Sequence, residues 1–217
     1  MDNNYKVAVL GPIPRDHIIT HEGLEIDKYG CVLYPVVALS CLTGPDSRII
    51  PVTHVRKVDE IPIRNLLAPF KNVDLTHISS KADQGDVISL RYVNQNKRIE
   101  RQTAFMKPIT PEDVKDLLDS DAFVFVPVTD FEVSLLTLKY LKEQSEGIII
   151  FDAHGPTNSC TRRGRRVHRF WIDRDLWLPY IDILKMNLEE AACSWFENEY
   201  TTAELEEEKE LPMDELP

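Results

Sequence analysis

The chain has 217 residues, 43% of them hydrophobic, which is apolar material for one large core, with or without a small appendage. Its formal charge is −11, but residues 197–217 hold nine acidic residues and one lysine, a net −8, and the remainder is nearly balanced at about −3. A net acidic chain repels a phosphate backbone, no apolar run approaches the ~20 residues that cross a bilayer, and no basic stretch precedes an apolar one at the N-terminus; nucleic-acid and membrane partners are not expected, and a soluble cytoplasmic protein is.

Residues 5–10 (YKVAVL) form a short run rich in β-branched side chains that Gly11-Pro12 ends, the pattern of a buried first strand running into a functional loop. Residues 17–20 and 24–28 read as an extended pair turning at Glu22-Gly23. Residues 87–93 and 97–105 alternate polar and apolar positions around Asn94-Gln95-Asn96, as a hairpin with one wet face does. Together these segments predict a small sheet beside the main layer. Thr110-Pro111-Glu112-Asp113 offers a hydroxyl cap, a proline at the first helical position and acid in the first turn, with Val114, Leu117 and Leu118 as the inward stripe of a helix. Residues 122–128 (AFVFVPV) and 147–151 (GIIIF) are continuous apolar runs, as expected of strands covered by helices on both faces. Between them, residues 131–141 predict a helix behind Asp130, with Val133, Leu136, Tyr140 and Leu141 near helical spacing. Strand and helix alternate, so an α/β domain with a mostly parallel sheet is the economical topology. In the acidic end, Thr201-Thr202-Ala203-Glu204 has capping-box spacing and predicts a further helix.

Residues 182–191 (DILKMNLEEA) carry the strongest local signal, a short strand running into Asn187 and at once into a helix. An asparagine cap with glutamate in the first turn accounts for this pattern by itself. Asn187 and Glu190 also share a helix face at a strand's carboxyl end, where α/β sheets bind ligands, and a carboxylate there suits a Mg²⁺–water shell. Asp152 and His154 leave the end of the preceding run together. Asp-x-His also opens metallophosphoesterase sites, which need more ligand clusters downstream, and only His168 follows. His17 and His21 are four apart in an extended region, so they read as exposed residues rather than a zinc pair. Arg162, Arg163, Arg165, Arg166 and Arg169 crowd around Gly164, either as a solvated loop or as bidentate partners of phosphate. Phe170, Trp171, Trp177 and Tyr180 read as packing anchors. Cys31, Cys41, Cys160 and Cys193 are far apart with no C-x-x-C pair, and are expected to be buried free thiols of a reducing compartment.

The run from Asp182 through Lys185 to Asn187-x-x-Glu190 and Ala191 resembles the N-x-x-E region of PfkB-type (ribokinase-like) carbohydrate and nucleoside kinases, and the preceding parts follow the family's order along nearly the whole chain. Residues 5–16 (YKVAVLGPIPRD) resemble the family's first strand, glycine loop and substrate-contacting aspartate. Residues 30–42 (GCVLYPVVALSCL) fall where the family has a Gly-Gly pair, an Asn and an Ala-rich helix; Tyr29 replaces the first glycine and Tyr34 stands near the Asn, which suits a different or bulkier substrate. The resemblance implies a three-layer α/β/α fold over residues 1–217, with a mostly parallel central sheet. It also implies a small β lid, strands at about 16–29 and 87–105, that covers the substrate and often pairs two subunits as a homodimer.

It further implies ATP-dependent, Mg²⁺-assisted phosphoryl transfer to a hydroxyl of a sugar, nucleoside or related small metabolite. On that reading Asp16, Gly30 and Asp152 contact the acceptor, and Lys185, Asn187 and Glu190 organise Mg²⁺ and phosphate. The family's Gly-Ala-Gly-Asp anion hole and catalytic aspartate have no counterpart in the 217 residues. No catalytic residue is therefore expected in the chain, the nucleotide-binding part is expected beyond its C-terminus, and the chain alone is expected to be inactive. Two other expectations stand beside this one: a non-catalytic ligand-binding or regulatory member of the same fold, and a metal-dependent phosphoesterase at Asp152 and His154.

Overall fold

The computed structural model describes residues 4–95 and 97–195. The chain opens with β1 (Lys6–Leu10), the pair β2 (Arg15–Ile19) and β3 (Glu25–Tyr29), then α1 (Leu33–Leu42), β4 (Arg48–His54), α2 (Lys57–Leu67) and the short β5 (Ile78–Ser79). The hairpin β6 (Val87–Tyr92) and β7 (Arg98–Ala104) follows, then β8 (Ala122–Phe125), α3 (Leu135–Gln144) and β9 (Ile148–Asp152). A second hairpin, β10 (Asn158–Cys160) and β11 (Arg166–His168), leads to the single turn α4 (Arg174–Trp177), β12 (Ile183–Lys185) and α5 (Leu188–Trp195).

Six strands form one sheet in the order β12-β9-β8-β1-β4-β5, with every neighbouring pair parallel. Side chains leave its two faces alternately. Ala8 and Leu10 of β1 join Phe123, Phe125, Ile149 and Phe151 with Leu138 and Leu141 of α3 in one core; Val7, Val9 and Ile49 join Val36 of α1 and Ile63 and Leu67 of α2 in the other. Helices thus cover both faces in a three-layer α/β/α body, which is why β8 reads as an unbroken apolar run; β9 departs from the expected cover, with Ile149 and Phe151 in the core and Ile148 half exposed on the other face. Trp171 is fully buried and stacks on Phe151 with ring centroids 6.1 Å apart, and Trp177 packs against both. These aromatics anchor the excursion between β9 and β12 to the sheet.

The second sheet has the order β3-β2-β6-β7, with β2 and β6 parallel and the outer pairs antiparallel. The β10–β11 hairpin attaches to its β7 edge through an Arg101–Arg165 bridge and a hydrogen bond from Gln102 N to Gly164 O of 2.8 Å.

Some local expectations are corrected. After Thr110 the capping box forms, but only one 3-10 turn follows, Pro111–Asp113, and further i to i+3 turns bury Val114 and Leu117 without a helix. The helix expected over 131–141 starts at Leu135 behind Ser134. Glu132 is drawn inward to accept hydrogen bonds from the Val128 and Thr129 amides, and Asp130 pairs with Arg169 instead of capping. The strand expected through Val128 ends at Phe125, just before Pro127, which has no N–H for a ladder. All four cysteines are free, but only Cys193 is buried and Cys41 is exposed. Asn96 of the expected turn and the helix expected from Thr201 lie outside the described residues. Among the described residues no helix is long and apolar enough to cross a membrane.

Candidate functional site

The parallel strands β1, β8, β9 and β12 end at Leu10, Phe125, Asp152 and Lys185, and the sequence-predicted site residues lie at or just beyond these carboxyl ends. Asp16, reached from β1 through a four-residue loop, is only 9% exposed. Burial pushes its carboxyl up to about 6, against the pull of Lys28, Arg166 and Arg98 and with a further push from Glu100. A Cβ placed on Gly30 would come 2.9 Å from Asp16 Oδ2, so these two residues are in direct contact. Tyr29, which replaces a glycine of the kinase pattern, donates its hydroxyl to Asp59 Oδ1 at 2.8 Å; burial and that carboxylate push the phenol up to about 12. Its hydroxyl is therefore committed to a structural partner.

At the other end of the site, Lys185 Nζ lies 3.2 and 3.0 Å from the two oxygens of Asp152 and 3.7 Å from Glu190 Oε2. Burial works against the Lys185 charge, but the two carboxylates outweigh it and raise the ammonium above its ordinary value. Asn187 and Glu190 hold each other reciprocally. Glu190 N donates to Asn187 Oδ1 at 2.8 Å, while Asn187 N and Nδ2 donate to Glu190 Oε2 and Oε1 at 2.7 and 3.0 Å. This is a capping box for α5. Glu190 is 1% exposed; burial opposes its charge, and the hydrogen bonds from His154 and Asn187 nevertheless hold the carboxyl below the usual range.

Two side chains that the resemblance did not assign join these ends. His154 Nδ1 is 3.0 Å from Glu190 Oε1, and His154 Nε2 is 2.9 Å from Arg166 Nη2. Arg166 gives Nη1 to Glu100 Oε2 at 2.8 Å and Nη2 to the Val128 carbonyl at 2.8 Å, and both Arg166 and Glu100 act on the Asp16 carboxyl. A continuous row therefore runs Asn187, Glu190, His154, Arg166, Glu100, with Asp16 beside its end. One member of the arginine cluster is thus an interior residue, with a side chain only 9% exposed. Arg169 pairs with Asp130 at 2.5 Å, while Arg162 and Arg163 are exposed at the mouth of a cavity of about 680 Å³ between the end of β7 and the β10–β11 turn.

A buried carboxyl pair adjoins Arg166. Asp86 Oδ1 accepts from Met106 N at 2.6 Å, and Glu132 accepts from Val128 N, Thr129 N and Thr129 Oγ1 at 2.5, 3.2 and 2.8 Å. Burial raises both carboxyls, and the neighbouring Asp86 raises Glu132 further, so Glu132 is pushed furthest toward its neutral form.

Among the described residues no group of three or more His, Cys, Asp and Glu side chains could hold a metal ion. Asp152 faces Lys185 and His154 faces Glu190 and Arg166, so the pair that suggested a phosphoesterase is spent on separate partners. Both Glu190 oxygens already accept hydrogen bonds and the residue is 1% exposed, so it is not placed to ligate an ion directly, and only the exposed Asn187 of the pair could meet a hydrated one.

No protein-family model matches the sequence, and no curated protein matches it. Solved structures match in fold. A pyrophosphate-dependent kinase in the ribokinase family, complexed with a pyrophosphate analog and myo-inositol, superposes with a TM-score of 0.73 at 17% identity, over 87% of this chain and 64% of that one. Fructokinase from Vibrio cholerae O395, in its fructose-, ADP- and calcium-bound form, gives 0.60 at 12% identity over 87% and 62%. The 2-dehydro-3-deoxygluconokinase from Thermotoga maritima gives 0.57 at 17% identity over 95% and 68%. The chain therefore has the ribokinase-like α/β fold, and it spans 64% of the length of the first of these kinases.

Proposed function

We propose that this chain forms the acceptor side and the N-x-x-E phosphate motif of a small-molecule kinase, which transfers a phosphoryl group from ATP to a hydroxyl of a sugar, nucleoside or related metabolite. The observation that carries this reading is the row of hydrogen bonds that joins Asn187 and Glu190 to the neighbourhood of Asp16 at the carboxyl edge of one parallel sheet. Phosphoryl transfer depends on positioning the hydroxyl and neutralising charge on the transferred group. In this reading the Asp16 carboxylate accepts a hydrogen bond from the acceptor hydroxyl, Gly30 leaves room for it, and Asp152 borders the same cleft. Lys185 supplies positive charge on the phosphate side, and Asn187, held by Glu190, orients the water shell of Mg²⁺. When bound, that ion would neutralise the phosphate oxygens. No described residue is assigned as the general base. The β3-β2-β6-β7 sheet is the lid of this reading, and its exposed β3 edge, next to Leu24 and carrying Ile26, is the surface for a homodimer.

The neighbours named above supply the assay. The intact protein, with any chain beyond these 217 residues, is offered fructose, myo-inositol, 2-dehydro-3-deoxygluconate and a nucleoside panel, with Mg²⁺ and either ATP or pyrophosphate as donor. Acceptor-dependent ADP or phosphate release that Asp16→Ala abolishes, with the circular dichroism spectrum retained, supports the reading. Turnover unchanged by Asp16→Ala rejects the acceptor assignment, and acceptor binding without turnover favours a non-catalytic ligand-binding member of the fold.

A further inference from the structure

We infer that Arg166 is a positioning residue that fixes the tautomer of His154 and through it holds Glu190, so that the β10–β11 hairpin ties the second sheet to the N-x-x-E motif. Only the kinetic consequence of this relay rests on the kinase reading; the relay itself does not.

A guanidinium has N–H donors and no acceptor. The 2.9 Å contact between Arg166 Nη2 and His154 Nε2 is therefore donated by the arginine, and Nε2 must present its lone pair. The neutral ring then carries its proton on Nδ1, which lies 3.0 Å from Glu190 Oε1 and donates to it. Asn158 Nδ2 is 3.4 Å from the same Nδ1, but its short bond, 2.7 Å, goes to the His154 carbonyl. With the opposite tautomer, an imidazole lone pair would face a carboxylate that is 1% exposed.

Arg166 is itself held on three sides, by Glu100 of β7, by the Val128 carbonyl and by the histidine. Packing alone would be served by the first two. The arginine arrives there because its hairpin rides on β7. Gln102 N donates to Gly164 O at 2.8 Å, and Arg101 Nη1 reaches the Arg163 carbonyl at 3.3 Å. A shift of β7 is thereby passed through one rigid fork to the imidazole and on to Glu190.

The test begins with ¹⁵N spectra of the ring nitrogens, with His154 assigned by its loss in His154→Asn. The unaltered protein at neutral pH should show the Nδ1–H tautomer, and Arg166→Met should bring in the Nε2–H form. Where Arg166→Met does not fold, Arg166→Gln is read instead; its amide carbonyl can accept from Nε2–H, and the Nε2–H form should appear there too. An Nε2–H ring in the unaltered protein, or a pure Nδ1–H ring in the variant, overturns the inference.

The kinetic arm uses the acceptor that the panel identifies. Arg166→Met should lower kcat roughly tenfold or more and raise the KM for the phosphoryl donor. In a His154→Asn background, whose amide donates toward Glu190 without a tautomer to set, adding Arg166→Met should cost less than about threefold. Equal losses in both backgrounds overturn the relay. If no acceptor is turned over while the ring spectra are as stated, the kinase reading fails and the relay stands.

Discussion

Asp16 Oδ2 occupies the space that a side chain at Gly30 would fill: the two meet at 2.9 Å once a Cβ is placed on the glycine. Gly30 is not among the residues with positive φ, so its requirement is room rather than backbone freedom. Gly30→Ala should therefore displace the carboxylate and leave the chain conformation intact. A displacement of about 1 Å at a positioning group costs up to ~100-fold in rate, so acceptor affinity or kcat/KM should fall at least tenfold, with unfolding free energy changed by less than ~1 kcal/mol. Calorimetric titration with the identified acceptor, paired with urea unfolding, reads both, and an unaltered affinity contradicts the assignment.

The same carboxylate sets two opposite pH trends. Burial holds Asp16 up to about 6, and a hydroxyl donor needs it ionised, so acceptor affinity should rise as pH increases through about 6 and level off above 7. For stability the sign reverses. A folded pKa above the unfolded value of about 3.9 means that the bound proton stabilises the fold below that pH, and this contribution is lost as pH rises through about 6. The shift sets an upper bound of roughly 3 kcal/mol. Asp16→Asn should raise stability near pH 7.5 by about 1–2 kcal/mol, flatten the profile between pH 4 and 6, and remove acceptor binding. Urea unfolding across pH 4–8 tests this; a variant that keeps the parent slope refutes it.

The Asp86–Glu132 pair makes a related prediction without a ligand. Both carboxyls are raised by burial, and Glu132 also by Asp86, so protonation stabilises the fold at low pH and its loss on the alkaline side leaves two buried charges together. Asp86→Asn replaces the proton with an amide that can donate to Glu132, and should remove the alkaline decline while keeping the Val128 and Thr129 hydrogen bonds. Glu132→Ala, which strands those amides, should instead destabilise by about 2–4 kcal/mol at every pH. Unfolding midpoints at pH 6 and 9 for the three proteins separate these outcomes.

The sheet was legible where one physical rule acted alone. β1 and β8 pack into a core on each face, so their apolar runs are unbroken, and the Asn187–Glu190 box is a contact between residues three apart. β4 and α2 were not legible, because Pro51 stands inside the strand and Pro62 inside the helix, against the ordinary preference of each element. Pro51 sits opposite Val9 in the parallel register, and Pro62 lies on the exposed side of α2, where a freed carbonyl can meet water. The roles of Glu100 and Arg166 escaped for a different reason. They are 66 residues apart, and only the docking of one hairpin on another brings them together, which no local pattern encodes.

That docking depends on Gly164. Its φ of +79° is a region that side chains rarely enter, and a Cβ there would come 2.3 Å from the Gln102 carbonyl oxygen on β7. Gly164→Ala meets both obstacles at once, and neither backbone can yield without breaking the bond from Gln102 N to Gly164 O. The hairpin should lift from the β7 edge at a cost of roughly 1–3 kcal/mol, drawing Arg166 away from Glu100 and His154. The hydrogen bonds of this turn run to β7 of the second sheet, so the effect should remain local. Hydrogen exchange distinguishes the cases: the Gln102 amide should exchange at least tenfold faster, while Val7, Ala8 and Val9 of β1 keep their protection. Equal acceleration at both places would mean global destabilisation and would count against a hairpin docked as a separable clamp.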